Sequence, residues 1–414
     1  MASNSECRSS TALESAVPAV QTLDRTRHIL AWLPLVAGLG LCVAIAQRSI
    51  GLVAATLIEG RPFCDFDIYL DQLARLSAPR FSLNPSWYYP PFAALVLWPL
   101  HRLSASEAYG AFTVLQLLAA GWMVRECSRV LRAFGTMTRW LTATGLTWLS
   151  LPVLACVGNG QVSLLLCCLS LFALTRARSP APWLAAAISF KLYPMMYLLG
   201  HVQRRRFGLL FRVAAWVLFL GLLMPWLCFP RPTFFGLLAR AWEVAQHARG
   251  PRFDSDQTVA ALGMRLFYDR SHFDATPQAL LLGLPLMAAA ILVTLFTLGV
   301  PAWTLYCGRK LAVNDRRVVT AAILAMTLVI EPGWPHYFCI LPFAQALLLD
   351  RATRTRELAL CALSIGCSAL RLCAALSDPA FNVCLAWGAL PISALCALAG
   401  INNLAGEVGS DARA

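Results

Sequence analysis

Three aspartates, Asp65, Asp67 and Asp71, lie close together in a polar stretch after the first long apolar segment. Ionised carboxylates are costly near the membrane interior unless they contact water or take part in chemistry. One such carboxylate can act as a general base that removes a proton from an attacking hydroxyl. Asp65 is the first candidate for this role and Asp67 the second. The alternative for both is an ordinary solvated loop acid.

Two other groups can stabilise a negatively charged leaving group. Lys191 is a lone cation between aromatic residues of an apolar segment, too far from its ends for easy escape to water. His336 lies between Trp334 and Tyr337 and can donate a hydrogen bond to a phosphate or a sugar. The alternatives are a structural lysine that reaches the interface and a histidine of an interfacial aromatic belt.

The chain that positions these groups has the composition of a membrane protein. Of its 414 residues, 58% are hydrophobic and only 13% are charged, and the mean hydropathy is +0.63. These values predict a polytopic helical membrane protein. The formal charge of +13 comes from short basic clusters between apolar spans, which indicates cytoplasmic loops rather than a nucleic-acid partner. Most of the 15 cysteines lie inside apolar spans, without metal-ligand spacing, and are expected to be small buried residues.

The apolar stretches predict about 12 transmembrane spans in one domain. We expect a cytoplasmic tail at 1–28, a transmembrane domain at 29–401 with outward loops at 48–87 and 230–277, and a cytoplasmic tail at 402–414. The outer loop at 230–277 has an amphipathic stretch near 233–247 that is expected to lie along the membrane surface. The spans are predicted near 29–47, 88–102, 107–124, 140–157, 161–176, 182–200, 208–229, 278–307, 318–331, 336–349, 358–376 and 381–401.

One region conflicts with this topology. The basic residues between Arg125 and Arg139 fall on the outer side if 88–102 is a full crossing, whereas the other basic clusters can all be cytoplasmic together. Either the 88–102 segment is re-entrant or this loop departs from the usual charge bias.

Several motifs occur at the predicted outer ends of the spans. They read DFDIY at 65–69, YYPPFAALVLWPL at 88–100, GNGQVS at 158–163, FKLYP at 190–194, SDQT at 255–258 and EPGWPHY at 331–337. Together they resemble glycosyltransferase family 87, membrane enzymes of the GT-C fold that include polyprenol-phosphate-mannose-dependent α-mannosyltransferases. The resemblance extends from about residue 60 to 350. It implies an all-α GT-C fold, an outward-facing site and a lipid-phosphate-linked sugar donor.

The resemblance also implies roles for individual residues. The D-x-x-x-Y element of the family matches Asp65 and Tyr69, which makes Asp65 the candidate catalytic base. The K-x-x-P element matches Lys191, and the W-x-H-Y element matches Trp334 and His336, so that Lys191 and His336 are candidate ligands of the donor phosphate. The candidate substrate-binding residues are Tyr69, Tyr89, Gln161, Gln257, Arg265 and Trp334.

Other positions depart from the family pattern. Asp256 and Thr258 flank Gln257 where the family has Asn and Ser, and Glu331 stands where the family often has a small residue. Trp87 and Tyr88 are further aromatic residues that can stack on a sugar ring, although an interfacial belt is the ordinary role for such residues. Gln161 can cap a helix as easily as bind a sugar.

The sequence therefore predicts a glycosyltransferase of the plasma membrane with its active site on the extracytoplasmic face. It would transfer a hexose, with mannose as first candidate, from a polyprenyl-phosphate donor to a lipid or glycan acceptor, with no cofactor and no divalent metal. A single carboxylate suffices, because a lipid phosphate leaves without a general acid. The alternatives are a secondary transporter or flippase, which predicts inverted repeats and paired acids within helices, and a non-catalytic scaffold of an envelope-assembly complex.

Overall fold

The structure is a computed structural model that describes residues 66–77, 82–84, 86–247, 257–267, 286–312, 314–330, 334–369 and 389–411, together with Thr26 and Ile29. Within these ranges all regular secondary structure is helical and no β-strand occurs. The prediction of an all-α protein is therefore confirmed. Most of the predicted N-terminal tail and the predicted span at 29–47 lie outside the described residues.

The helices vary widely in length. Three short 3-10 segments lie between them, at Trp98–Arg102, Tyr193–Leu198 and Pro335–Phe338. The last helix extends to Asp411, beyond residue 402, the predicted start of the C-terminal tail. The α-helices in chain order are α1 Phe66–Ser77, α2 Pro91–Leu97, α3 Ala105–Val130, α4 Thr136–Leu149, α5 Leu151–Asn159, α6 Ser163–Thr175, α7 Ala181–Phe190, α8 Leu199–Gln203, α9 Phe207–Cys228, α10 Arg231–His247, α11 Val259–Phe267, α12 Leu286–Gly308, α13 Arg316–Val329, α14 Leu341–Arg351, α15 Thr355–Ser368 and α16 Ala389–Asp411.

Helix α1 lies within the stretch 48–87 that was predicted to be an outer loop. Phe66, Tyr69 and Leu73 are spaced three and four residues apart and are buried on one face of the helix. The Phe66 ring packs against Tyr109 and Phe112 of α3, with both centroid distances 4.7 Å. The loop therefore contains an amphipathic helix that docks on the bundle next to the acidic cluster.

The segment 88–102 does not form one long helix. Helix α2 has 7 residues and the 3-10 segment after it has 5. Together they extend over roughly 20 Å, less than the ~30 Å of a bilayer hydrocarbon core. Pro91 begins α2, and the change of helix type at Trp98 ends it. This segment is too short to cross the bilayer as a single helix.

Only some of the described helices are long enough to cross a membrane. Phe207–Cys228 and Ile291–Gly308 qualify by length and composition, and the bent pair Thr136–Leu149 and Leu151–Asn159 is a third if its 63° break is counted within one span. Helices α6 and α7 are apolar but shorter. The described residues support a membrane protein and do not confirm the predicted count of about 12 spans.

The end of α3 lies beside two other helix ends that carry charged residues. Glu126 forms salt bridges with Arg129 of the same helix and with Arg176 after α6, both at 2.6 Å. The Ala133 backbone N–H, which follows α3, donates a 2.8 Å hydrogen bond to Asp350 at the end of α14. We call this end of the molecule the basic end.

Two further basic clusters meet at a second contact between helix ends. Arg204, which follows α8, donates a 2.5 Å hydrogen bond to the carbonyl of Gly308 at the end of α12. Arg204 is also an electrostatic neighbour of Asp315, and the next residue, Arg316, is a neighbour of Arg129, Arg132 and Arg176. This contact therefore lies at the basic end as well. The basic residues of 125–139 therefore lie with the other basic clusters, as expected if the short segment 88–102 is re-entrant.

Candidate active site

Three of the predicted site residues, Lys191, Gln161 and His336, lie at breaks between helices. Helix α7 ends at Phe190, and Lys191 has an extended backbone. Helix α5 ends at Asn159. Gly160, which follows it, has a φ of 67°, the left-handed conformation that glycine adopts easily, and this turn leads directly to Gln161. His336 lies in the 3-10 segment that follows α13. Their polar side chains lie together at one level inside the helix bundle, which we call the site layer.

This layer lies short of the C-terminal end of the membrane-length helix α9. Gly221 of α9 packs against the hydroxyl of Ser189, two residues before Lys191. Residues 222–228, about 10 Å of helix, extend beyond that contact. The N-terminal end of α9 is at the basic end of the molecule. The site is therefore recessed from the opposite, C-terminal end of α9.

The ammonium of Lys191 lies among three tyrosine rings. Its Nζ atom is 4.6 Å from the ring centroid of Tyr337, 5.1 Å from that of Tyr89 and 5.9 Å from that of Tyr193. Aromatic faces attract a cation through their quadrupole, most strongly where water is scarce. The three rings therefore hold the positive charge in place without neutralising it.

His336 contacts one of the same rings. Its imidazole is 6% exposed and lies 4.8 Å from the Tyr337 ring, centroid to centroid, in an edge-to-face arrangement. The Trp334 ring is nearly parallel to the imidazole at 6.4 Å. The Nε2 atom is buried and forms no hydrogen bond with the residues described here. Since buried polar atoms are nearly always paired, this nitrogen is a candidate ligand-binding atom.

A network of hydroxyl and amide groups adjoins the lysine. The hydroxyls of Tyr69 and Tyr89 are 2.6 Å apart, and each lies 3.3 Å from Oε1 of Gln161. Gln116 of α3, fully buried, donates from Nε2 to the Gln161 carbonyl, and its own Oε1 has no partner in the described residues. Gln116 is not among the site residues predicted from the sequence. The signal available was a lone glutamine in an apolar helix.

Helix α1 is attached to this network at its first residue. The Phe66 side chain packs on Gly160, where an added β-carbon would lie 2.7 Å from the Phe66 β-carbon. The Tyr69 ring, one turn later, is 5.1 Å from the Tyr89 ring. Asp65 immediately precedes Phe66 but lies outside the described residues, so that its distance from Lys191 and its role as a base stay predictions.

The other two aspartates of the cluster have different surroundings. Tyr109 donates a hydrogen bond to Oδ1 of Asp67, and burial raises the pKa of this carboxyl while that hydrogen bond opposes the rise. Asp71 accepts hydrogen bonds from Arg75 and from the Asn84 side chain, both at 2.6 Å. Asp71 therefore attaches the segment after α1 to the helix, which is a structural role.

The remaining predicted residues are only partly described. Gln257 is fully buried just before α11, and Arg265 belongs to α11 but its side chain lies outside the described part. Trp87 is completely buried, and its indole N–H donates a 2.8 Å hydrogen bond to the Tyr89 carbonyl, so it supports the backbone next to the site. Tyr88 is exposed under the guanidinium of Arg240 from α10. Asp256 and Glu331, which depart from the family pattern, lie outside the described residues.

Two further features concern cavities and metal ligands. An apolar cavity between α8, α12 and α13 contains none of the predicted site residues. No group of three or more His, Cys, Asp or Glu side chains with the arrangement of a metal site occurs among the described residues. We predict a polar cavity between Asp65 and Lys191, but Asp65 lies outside the described residues.

Comparisons with known proteins agree with the resemblance in the motifs. Characterised proteins and solved structures gave no match. A family-level comparison matches residues 87–332 to glycosyltransferase family 87, and this range covers more than half of the chain and includes Tyr89, Gln161 and Lys191. The chain therefore belongs to glycosyltransferase family 87.

Proposed function

We propose that the protein transfers a hexose, with mannose as first candidate, from a polyprenyl-phosphate-linked donor to a lipid or glycan acceptor. Membership of the family supports a membrane enzyme that acts on a sugar donor and an acceptor. The identity of the donor, the hexose and the reacting face are the parts that we propose. The same membership favours an enzyme over the transporter and scaffold alternatives.

The observation that carries the proposal is the shared contact of Lys191 and His336. The two residues are far apart in sequence, yet both contact the Tyr337 ring, from 4.6 Å and 4.8 Å. One contributes a cation and the other a buried nitrogen without a described hydrogen-bond partner. A departing lipid phosphate needs this pair of properties, a positive charge and a hydrogen-bond donor that converge in a poorly hydrated site.

The chemistry is an inverting displacement. An acceptor hydroxyl attacks the anomeric carbon of the donor sugar, the bond from that carbon to the phosphate oxygen breaks, and the electron pair leaves with the lipid phosphate. The hydroxyl proton passes to the carboxylate of Asp65. Lys191 and His336 stabilise the leaving phosphate, and the Tyr69, Tyr89 and Gln161 network lies beside them for sugar hydroxyls.

The position of the site agrees with a lipid-linked donor on the extracytoplasmic side of the plasma membrane. Basic clusters mark the cytoplasmic end of membrane helices. The site layer is at the opposite side of the bundle from the basic end and about 10 Å below the end of α9. A donor phosphate can reach such a layer sideways while its polyprenyl tail stays in lipid, which avoids the large cost of moving the tail into water.

The test compares two neighbouring carboxylates. Membranes that contain the protein are incubated with polyprenyl-phosphate mannose, and the transferred sugar is measured by mass spectrometry of the lipid extract. Asp65→Asn should reduce transfer by at least ~100-fold with donor binding retained, because the amide keeps the shape and removes the base. Asp67→Asn is the matched control and should retain transfer within a few-fold.

Two results would contradict the proposal. If Asp65→Asn keeps its activity while Asp67→Asn loses it, Asp67 is the base. If the wild-type protein moves the lipid-linked sugar across the bilayer without cleaving the sugar–phosphate bond, the flippase alternative is correct. Stereochemistry at the new linkage, determined by NMR, checks the inverting mechanism separately.

A further inference from the structure

A second group of charged residues lies at the basic end, between the C-terminal ends of α3 and α6 and the N-terminal end of α13. Its members are Glu126, Arg129, Arg132, Arg176 and Arg316, and we call it the arginine cluster. Glu126 is 3% exposed and accepts hydrogen bonds from Arg129 Nη1 at 2.6 Å and from Arg176 Nε and Nη2 at 2.9 Å and 2.6 Å. One carboxylate therefore holds two guanidinium groups in fixed positions.

The other two arginines have no carboxylate partner among the described residues. The Arg316 side chain forms no hydrogen bond or ion pair there, and Arg132 donates only a 3.4 Å hydrogen bond to the Arg129 carbonyl. Burial lowers the pKa of the Arg316 guanidinium, and the positive charges of Arg176, Arg132 and Arg129 lower it further, while the carboxylate of Glu126 opposes the fall only in part. Four arginines and one carboxylate leave an excess of positive charge in a partly buried place.

The nearby acids already have other partners. Asp315 caps the start of α13 and forms a 2.8 Å ion pair with Arg317. Asp350 accepts a hydrogen bond from the Ala133 backbone N–H and lies 3.6 Å from Arg351. The cluster is therefore arranged to receive an anion from outside the described chain.

We propose that the arginine cluster binds the phosphate of an anionic membrane phospholipid, with phosphatidylglycerol as the probe. The planar donors of guanidinium groups match phosphate oxygens in pairs. The cluster is at the level where the membrane-length helix α9 begins and α12 ends. Gly308 at the end of α12 packs on Val318, two residues after Arg316, and Arg204 before α9 contacts the same glycine. Lipid phosphates are concentrated at this level, and basic crevices between membrane helices are known to receive them.

Lipid binding is tested on the purified full-length protein in phosphatidylcholine nanodiscs that contain increasing amounts of phosphatidylglycerol. Retained lipids are counted by native mass spectrometry, and the unfolding temperature is followed in parallel. We expect the wild-type protein to retain phosphatidylglycerol in preference to phosphatidylcholine. Each arginine is expected to contribute roughly fivefold to the affinity for the lipid. The double variant Arg132→Gln with Arg316→Gln should therefore bind it at least about tenfold more weakly.

Matched variants separate a site from general surface charge. Arg356→Gln removes an exposed arginine of α15 outside the cluster and should leave binding unchanged. The charge-conserving double variant Arg132→Lys with Arg316→Lys should keep most of the binding, which keeps the test decisive if the glutamine variant does not fold. Millimolar inorganic phosphate should not displace the lipid.

Three outcomes would overturn the proposal. Equal binding by the glutamine double variant means that the cluster is not the site. Equal loss in Arg356→Gln means that only diffuse charge acts, and competition by inorganic phosphate means that the ligand is a soluble anion.

Discussion

Two buried polar clusters of this protein differ in how completely they are paired. The site cluster comprises Tyr69, Tyr89, Gln116, Gln161, Lys191 and His336. The serine cluster joins α14, α15 and α16 and comprises Gln345, Ser364, Ser368 and Ser393. Gln345 Nε2 donates to Ser364 and Ser368 at 3.1 Å and 2.9 Å, and Ser393 donates to the Ser364 carbonyl at 2.7 Å.

The difference lies in the atoms without partners. No buried polar side-chain atom of the serine cluster is left unpaired, whereas Nε2 of His336 and Oε1 of Gln116 are both unpaired among the described residues. A fully paired cluster fixes the arrangement of helices, and its groups have no capacity left for a ligand. Unpaired buried atoms are costly in the unliganded protein and gain the most when a ligand arrives. The comparison separates a structural cluster from a binding cluster.

The largest expected effect is on Lys191. Lys191→Gln removes the cation held by the three tyrosines and should reduce sugar transfer by about 100- to 1,000-fold, as loss of a transition-state charge contact does elsewhere. The unfolding temperature should change little, because desolvation of a partly buried charge offsets much of what its contacts contribute to the folded state. The measurement is transfer per folded molecule together with the melting curve.

The chain contains one other lysine, which serves as the control. Lys310 is exposed at the basic end, and Lys310→Gln should leave transfer unchanged. If Lys191→Gln lowers transfer only as far as it lowers the amount of folded protein, Lys191 is a structural residue. The site cluster would then not differ in role from the serine cluster.

The next effect in size concerns the serine cluster. Gln345 is only 1% exposed, so Gln345→Ala removes two hydrogen bonds and leaves a cavity where the side chain was. The free energy of unfolding should therefore fall by about 2–3 kcal/mol. Activity per folded molecule should stay the same. Ser393→Ala, which removes a single hydroxyl, should cost about 1 kcal/mol. A specific loss of turnover in folded Gln345→Ala would show that the serine cluster is part of the active site.

The smallest expected effect is that of Tyr69→Phe. This change removes the hydroxyl that lies 2.6 Å from Tyr89 and 3.3 Å from Gln161 and keeps the packing of the ring. Transfer should fall by about 3- to 10-fold, equivalent to roughly 1 kcal/mol for one hydrogen bond. Tyr197→Phe is the control, since that buried hydroxyl forms no hydrogen bond with a described residue. Equal effects of the two changes would remove Tyr69 from the site.

The sequence predicted the helical class because apolar stretches are a local property of the chain. The family resemblance was equally accessible, since its motifs are short and contiguous, and the family-level match confirms it over 87–332. The lone charge of Lys191 in an apolar segment also needed no structure, because the cost of such a charge depends on its local surroundings.

Features that depend on helix ends were predicted less well. The spacing of Phe66, Tyr69 and Leu73 indicates an amphipathic helix, but its 12 residues were treated as part of a loop. The 88–102 segment was predicted as a span, with a re-entrant segment as the alternative, because hydropathy averages over the break at Trp98. Segment length and the points where helices end decide whether a stretch crosses a membrane.

The sequence by itself determined that this is a helical membrane protein with family motifs, a lone cation in an apolar segment and a strong basic bias. Only the tertiary structure decided that Lys191 and His336 contact the same tyrosine, that Gln116 joins Gln161, and that Arg176 and Arg129 share Glu126. The physical reason is that these contacts join side chains of different helices. Helix packing sets such contacts, and they leave no periodic signal along the chain.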